Sequence, residues 1–294
     1  MIHYLIQTTS AHPDLLDAVP PPGLLSAAET ARCAELRFER RRRDWLLGRW
    51  TAKHLVQAYL AGVAGESCGL VDLLIVAAAD GAPEVEMHNA QWTMHNDSSQ
   101  PALVSVRPET APVYSTDAGL SLSISHSRDT SMCAVMDADA GVVGADLEWI
   151  EHREPGFVAQ FFTPDEMALV EACGPDFRDT LITAIWSGKE AVLKALRMGL
   201  RADTRSVSVV PRPEVAISPP LTPQPWGELA RTSPSLGGRG AEYQPDPSSS
   251  PPRWLRMDVQ VSQELVDPTA SSFSKFEGWW QVYEGFVLAI VTRG

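Results

Sequence analysis

The sequence predicts an α+β fold, with antiparallel strands and separate helices packed on them. Three observations lead there. Residues 121–127 and 143–149 alternate with period two, and 132–136 is a further strand candidate between them. Trp279–Val291 reads as two strands folded at Glu284-Gly285. Thr180–Arg197 instead changes to helical spacing, with Ile185, Val192 and Leu196 on one side.

The remaining elements follow in chain order. His3–Gln7 is an early strand. A basic helix follows Arg37, where Arg42, Arg49 and Lys53 fall along one face while Leu46, Leu47 and Trp50 pack inward. Val71–Val76 is a strand ending in a turn at Asp80-Gly81-Ala82-Pro83, residue types that suit a turn without any further role. From Met87 to Asp117 the pattern dissolves into Asn, Ser, Gln and Pro, as in a loop or weak-strand insertion. Residues 1–119 then form a first lobe and residues 120–294 a second. Thr163-Pro164-Asp165-Glu166 is a capping box with proline at the first helical position, which is reason enough for that glutamate. Residues 211–252 hold 11 of the 23 prolines and read as a long loop with no regular element. Arg253–Val261 returns as a strand, and no internal repeat is visible.

Composition narrows the function classes. The chain has 294 residues, 44% of them apolar, enough for a sizeable globular core. A net charge of −13 argues against broad nucleic-acid binding. No membrane-length apolar run and no secretory leader pattern occur, and the four cysteines lack metal-type spacing. The expectation is a cytoplasmic protein with reduced thiols and no membrane or nucleic-acid partner. No Gly-rich phosphate loop is present, which disfavours a nucleotide kinase.

Two acidic signatures carry chemistry. In the strand Val143–Trp149, Asp146 and Glu148 share one face, roughly 7 Å apart. Such a pair suits a hard divalent cation that also meets substrate phosphates; it equally suits a solvated face of a half-buried strand. In the helix, Trp186, Glu190 and Lys194 stack at i, i+4, i+8. A surface Glu–Lys pair worth a few tenths of a kcal/mol would explain the last two without chemistry. Ser125 and His126 end the strand Ser121–Ser127, where they can donate to phosphate oxygens or simply serve the turn. The cluster Arg37, Arg40–Arg43, Arg49 and Lys53 is either a solvated helix start or a local basic patch.

Taken in order, Ser125-His126-Ser127, Gly144–Glu148 (GADLE) and Trp186–Lys194 (WSGKEAVLK) resemble the motifs of the 4′-phosphopantetheinyl transferases. The likeness is to the long, pseudo-dimeric type that serves polyketide, nonribosomal-peptide and related synthases. It extends from RFERRRRDWLLGR near Arg37 to the final WWQVYEGFVLAIV.

The resemblance implies two similar lobes of antiparallel sheet plus helix, related by pseudo-two-fold symmetry, with coenzyme A between them in a monomer. It implies Mg2+ held by Asp146, Glu148 and Glu190, with coenzyme A as co-substrate. Lys189, Lys194 and His126 would donate to phosphate oxygens, and Ser125 would help fix the diphosphate. Arg43 is the nominal contact to the 3′-phosphate; Gly81 and Pro83 would shape the pocket, where Ala82 replaces the family's usual lysine. Glu190, or a metal-bound water oriented by it, would take the proton of the attacking serine on an acyl or peptidyl carrier protein. The products would be holo-carrier and adenosine 3′,5′-bisphosphate. A non-catalytic coenzyme A or carrier-binding relative is the alternative.

Overall fold

In a computed structural model of the chain, the structure describes residues 1–64, 68–88, 114–115, 119–216, 221–223, 254–265 and 275–294. The first part runs β1 (Ile2–Thr8), α1 (Pro13–Leu16), α2 (Ala27–Glu35), α3 (Glu39–Ala64), β2 (Leu73–Ala77), β3 (Pro83–His88), β4 (Tyr114–Ser115), β5 (Leu120–Ser127) and β6 (Thr130–Asp137). The rest runs β7 (Val142–Trp149), α4 (Pro155–Phe161), α5 (Pro164–Ala172), α6 (Pro175–Ala195), β8 (Val207–Ala216), β9 (Leu221–Pro223), β10 (Leu255–Val261), β11 (Phe276–Tyr283) and β12 (Phe286–Arg293).

Three sheets form, with strand orders β5-β6-β1-β9, β7-β12-β11-β10-β8 and β2-β3-β4. Among the described residues only β1 with β9 is a parallel pair. This mixture of helices and antiparallel sheets is the α+β architecture expected.

Apolar patterning dictates the layers. Leu5, Cys133 and Val135 pack with Leu55, Val56 and Tyr59 of α3. The alternate residues Tyr4, Met132 and Ala134 pack with Ala145, Leu147, Leu288 and Ile290 of the five-stranded sheet. On that sheet's far face Val287, Ala289 and Val291 meet Ala184, Ala191 and Val192 of α6. The order is therefore helix, sheet, sheet, helix. Strands β6 and β12 are covered on both faces, so they read as continuous apolar runs rather than alternating ones.

Helices α1, α2 and α4 lie where no element was expected, and the structure departs from expectation in four further places. Leu70–Asp72 is a 3-10 turn in which Asp72 accepts from Gly69 N, so β2 starts at Leu73. Strand β3 was missed because proline opens it, yet a first strand residue can do without its N–H, and Val85 and Met87 face the α3 core. Helix α6 begins at Pro175, five residues ahead of Thr180, with proline in its first turn. Finally, β8 runs to Ala216 and β9 follows, inside the stretch read as loop; β8 is an edge strand, where Pro211 and Pro213 are tolerated.

The rest of the proline-rich expectation, 217–220 and 224–252, lies outside the described residues, as does most of the 87–117 insertion. The four cysteines are free thiols. Among the described residues no helix is long and apolar enough to cross a membrane.

Candidate functional site

Strand β7 sends Val143, Ala145 and Leu147 into the core between the sheets and turns Gly144, Asp146 and Glu148 toward α6. Gly144 is required by the approach of the helix backbone: a Cβ there would lie 1.8 Å from Ala191 O. With α6 pressed against the strand, Trp186 and Lys194 of its i, i+4, i+8 face reach the two carboxylates.

Asp146 is 3% exposed. Its Oδ1 accepts from Ser125 Oγ at 2.7 Å and from Lys194 Nζ at 2.6 Å. Its Oδ2 is buried with no hydrogen-bond partner. Glu148 accepts from Trp186 Nε1 at 3.3 Å and faces Arg153 at 3.7 Å. Burial, and then the Asp146 charge, push the Glu148 carboxyl up to about 7, against the pull of Arg153. Burial and Asp146 also raise Glu190, with Lys194 opposing. The Asp146 charge therefore disfavours the charge of both glutamates.

The donor set fits a hard divalent cation by its chemistry: a buried, partnerless oxygen of Asp146 stands beside two glutamates whose charge is disfavoured by burial and by Asp146. As the side chains stand, no three His, Cys, Asp or Glu groups among the described residues are gathered to hold a metal ion. The ammonium of Lys194 is the cation against Asp146.

A feature not foreseen joins the two larger sheets. The hydroxyls of Ser121, Ser123, Ser125 and Ser127 on β5 accept from Val143 N, Ala145 N, Leu147 N and Trp149 N of β7, at 2.9, 2.9, 3.3 and 3.4 Å. Side chains thus replace the usual backbone ladder along this seam. The signal was in the sequence as four serines at period two in SLSISHS.

The seam gives Ser125 partners other than the expected diphosphate. Its one proton goes to Asp146 and its oxygen accepts from Leu147 N, which leaves no donor for a diphosphate. His126 alternates away from the seam and is exposed.

Beside the carboxylates lies a cleft of about 530 Å³, whose lining includes Gly81, Ala82, Pro83, Lys194 and Arg197. Gly81 adopts φ +87° in the β2–β3 turn. Lys194 is common to the cleft and the carboxylate group. Arg197, just past α6 with φ +57°, clamps Asp80 at 2.7 Å and Glu84 at 2.6 Å, and Arg201 donates to Asp80 O at 2.8 Å. The end of α6 is thereby tied to the β2–β3 hairpin.

Other expected cations are used elsewhere. Lys189 is 0% exposed; its ammonium pairs with Glu166 at 2.8 Å and donates to Thr204 O and Val207 O. Its three protons are directed to these groups, and it does not line the cleft. Lys53 of the expected basic face is likewise 0% exposed, paired with Glu29 and donating to Leu24 O and Leu70 O. Arg49 donates to Ile75 O, and Arg42 to Ala18 O and Leu36 O. These groups fasten α3 to its surroundings rather than forming a patch. Arg43 donates to Leu16 O and pairs with Glu39, and it does not line the cleft.

Glu166 has the capping-box role read for it, bonding Thr163 N at 2.7 Å. It is also the partner of Lys189, and it accepts from Val209 N at 2.8 Å.

No curated protein matches the chain. A family model described as the 4′-phosphopantetheinyl transferase superfamily matches residues 142–236, the span that opens on β7 and contains α6.

Proposed function

We propose that the chain transfers the 4′-phosphopantetheine arm of coenzyme A to a serine of an apo carrier protein, in a Mg2+-dependent reaction that releases adenosine 3′,5′-bisphosphate. One observation carries the reading. Buried Asp146, with a partnerless Oδ2, is held through its Oδ1 by Lys194, which also lines a cleft sized for a ligand, and both residues lie inside the span matched by the family model.

Asp146, Glu148 and Glu190 are the residues that would hold the cation. When bound, it supplies positive charge against the pyrophosphate as the bridge breaks. Lys194 has two of its three protons on Asp146 and Ala145 O, and the third is directed to a phosphate oxygen of coenzyme A in this reading. Exposed His126 donates to another.

The carrier serine oxygen attacks the pantetheine-side phosphorus. The phosphorus–oxygen bond to the nucleotide breaks, and the serine proton passes to Glu190. Gly81 and Pro83 shape the cleft wall that takes the coenzyme. Two lobes related by a pseudo-two-fold axis belong to the same proposal, supported by the buried lysine–glutamate pair found once on α3 and once on α6.

The test is intact mass spectrometry of apo fatty-acid, polyketide and peptide carriers incubated with the protein, coenzyme A and Mg2+. A gain of one phosphopantetheine arm, lost with chelator and with Asp146→Ala, is the expected result. No gain on any carrier, despite measurable coenzyme binding, would instead mean a binding relative without turnover.

A further inference from the structure

The four hydroxyls of the β5–β7 seam are equivalent as acceptors but not as donors. Ser123 Oγ gives its proton back to the backbone, at Ala145 O, 3.4 Å away. Ser125 Oγ gives its proton to a carboxylate, Asp146 Oδ1, at 2.7 Å. That oxygen also takes Lys194 Nζ at 2.6 Å, so two donors on different elements fix it from two sides. A carboxylate held by one oxygen has little freedom left about its last torsion. The consequence is visible in the other oxygen, which is buried and partnerless. Leaving a buried carboxylate oxygen without a partner costs free energy. A hydroxyl that turned Asp146 toward ordinary solvation would avoid that cost; this one holds it in place.

We propose that Ser125 is a positioning residue for the divalent cation: its hydroxyl, braced by Leu147 N, pins Asp146 Oδ1 so that Oδ2 is presented as the metal-facing atom. The inference rests on the functional reading above, and it gives Ser125 a role one bond removed from the ion instead of on the diphosphate. Partners that orient a ligand in this way typically change metal affinity by about 10–100-fold when removed. The neighbouring seam hydroxyl of Ser123 supplies an internal control. Both serines make the same kind of contact with β7, but only one touches the carboxylate.

The experiment measures Mn2+ binding by electron paramagnetic resonance, together with coenzyme A binding in chelator, for wild type, Ser125→Ala and Ser123→Ala. The expected result is Mn2+ affinity about 10–100-fold weaker in Ser125→Ala and near wild type in Ser123→Ala, with metal-free coenzyme affinity unchanged in Ser125→Ala. Wild-type Mn2+ affinity in Ser125→Ala overturns the inference while leaving the functional reading intact. Equal losses in the two variants also overturn it, because the seam geometry alone would then account for the effect. A fall in coenzyme affinity with Mn2+ affinity preserved would return Ser125 to the phosphates. A wild-type protein that takes up no Mn2+ contradicts the functional reading, and the inference with it.

Discussion

Helices α3 and α6 each bury a lysine in the same way. Lys53 pairs with Glu29 and donates to two carbonyls; Lys189 pairs with Glu166 and donates to two carbonyls. Each glutamate closes a capping box, on α2 with Ser26 and on α5 with Thr163, and each accepts from a strand N–H, Ile75 on β2 or Val209 on β8. One fastening thus occurs twice, tying a short helix, a long helix and a strand together. Among the described residues the carboxylate group at Asp146 occurs on the α6 side only. Where Lys189 is followed by Glu190 and then Lys194, Lys53 is followed by His54 and then Ala58. The difference teaches that the two lysines of the K-E-x-x-x-K helix have different duties. The first makes a buried fastening that α3 repeats; the second reaches Asp146 and the cleft, and the proposed chemistry rests on it alone.

The largest expected effect breaks the fastening. Removing one partner of a fully buried pair leaves the other charge stranded, at about 3–5 kcal/mol. Lys53→Met and Lys189→Met should therefore each lower the thermal midpoint strongly, while turnover per folded molecule stays near wild type. Calorimetry alongside an active-fraction assay checks this. A stable but inert Lys189→Met protein would erase the distinction. Next, Lys194→Ala should lower kcat on the order of 10²–10³-fold through lost stabilisation of phosphate charge. Steady-state kinetics decide it: a rise in KM alone would make Lys194 a binding group.

The residue after each buried lysine sharpens the contrast through pH. His54 Nδ1 faces Trp50 O at 2.8 Å and so donates to it. Burial pushes its pKa down to about 4 from 6.5, against the pull of that hydrogen bond and with a small further push from His12. Between those values the unfolded chain takes a proton that the folded chain refuses. Stability should therefore fall as pH drops from 6.5 toward 4, by at most about 3 kcal/mol. Denaturant titrations should show a flatter slope in His54→Phe than in wild type; equal slopes would mean the histidine is already charged in the fold.

Much of the frame was legible because period alone reveals it. The alternation in Val143–Trp149 gave both the core face and the carboxylate face, and the spacing in α6 placed Trp186, Glu190 and Lys194 together. The fate of Lys189 was not legible. A buried and an exposed lysine look alike in sequence, and its partners Glu166, Thr204 and Val207 come from three other segments. Arg42, Arg49 and Lys53 misled for the same reason: clustered cations signal charge, and only tertiary contacts say whether carbonyls have already claimed it. The seam serines were visible as a pattern, but that a β5 hydroxyl would meet β7 depended on which strands became neighbours. Ser125 therefore looked like a phosphate donor until its proton could be traced to Asp146.

The account is tested most directly by one time course of phosphopantetheine transfer, followed by intact carrier mass for wild type, Asp146→Ala and Lys189→Met, each corrected for its folded fraction. Transfer by wild type and by folded Lys189→Met, with none by Asp146→Ala, is the predicted outcome. Transfer by Asp146→Ala at the wild-type rate, or an inert but folded Lys189→Met, would contradict it.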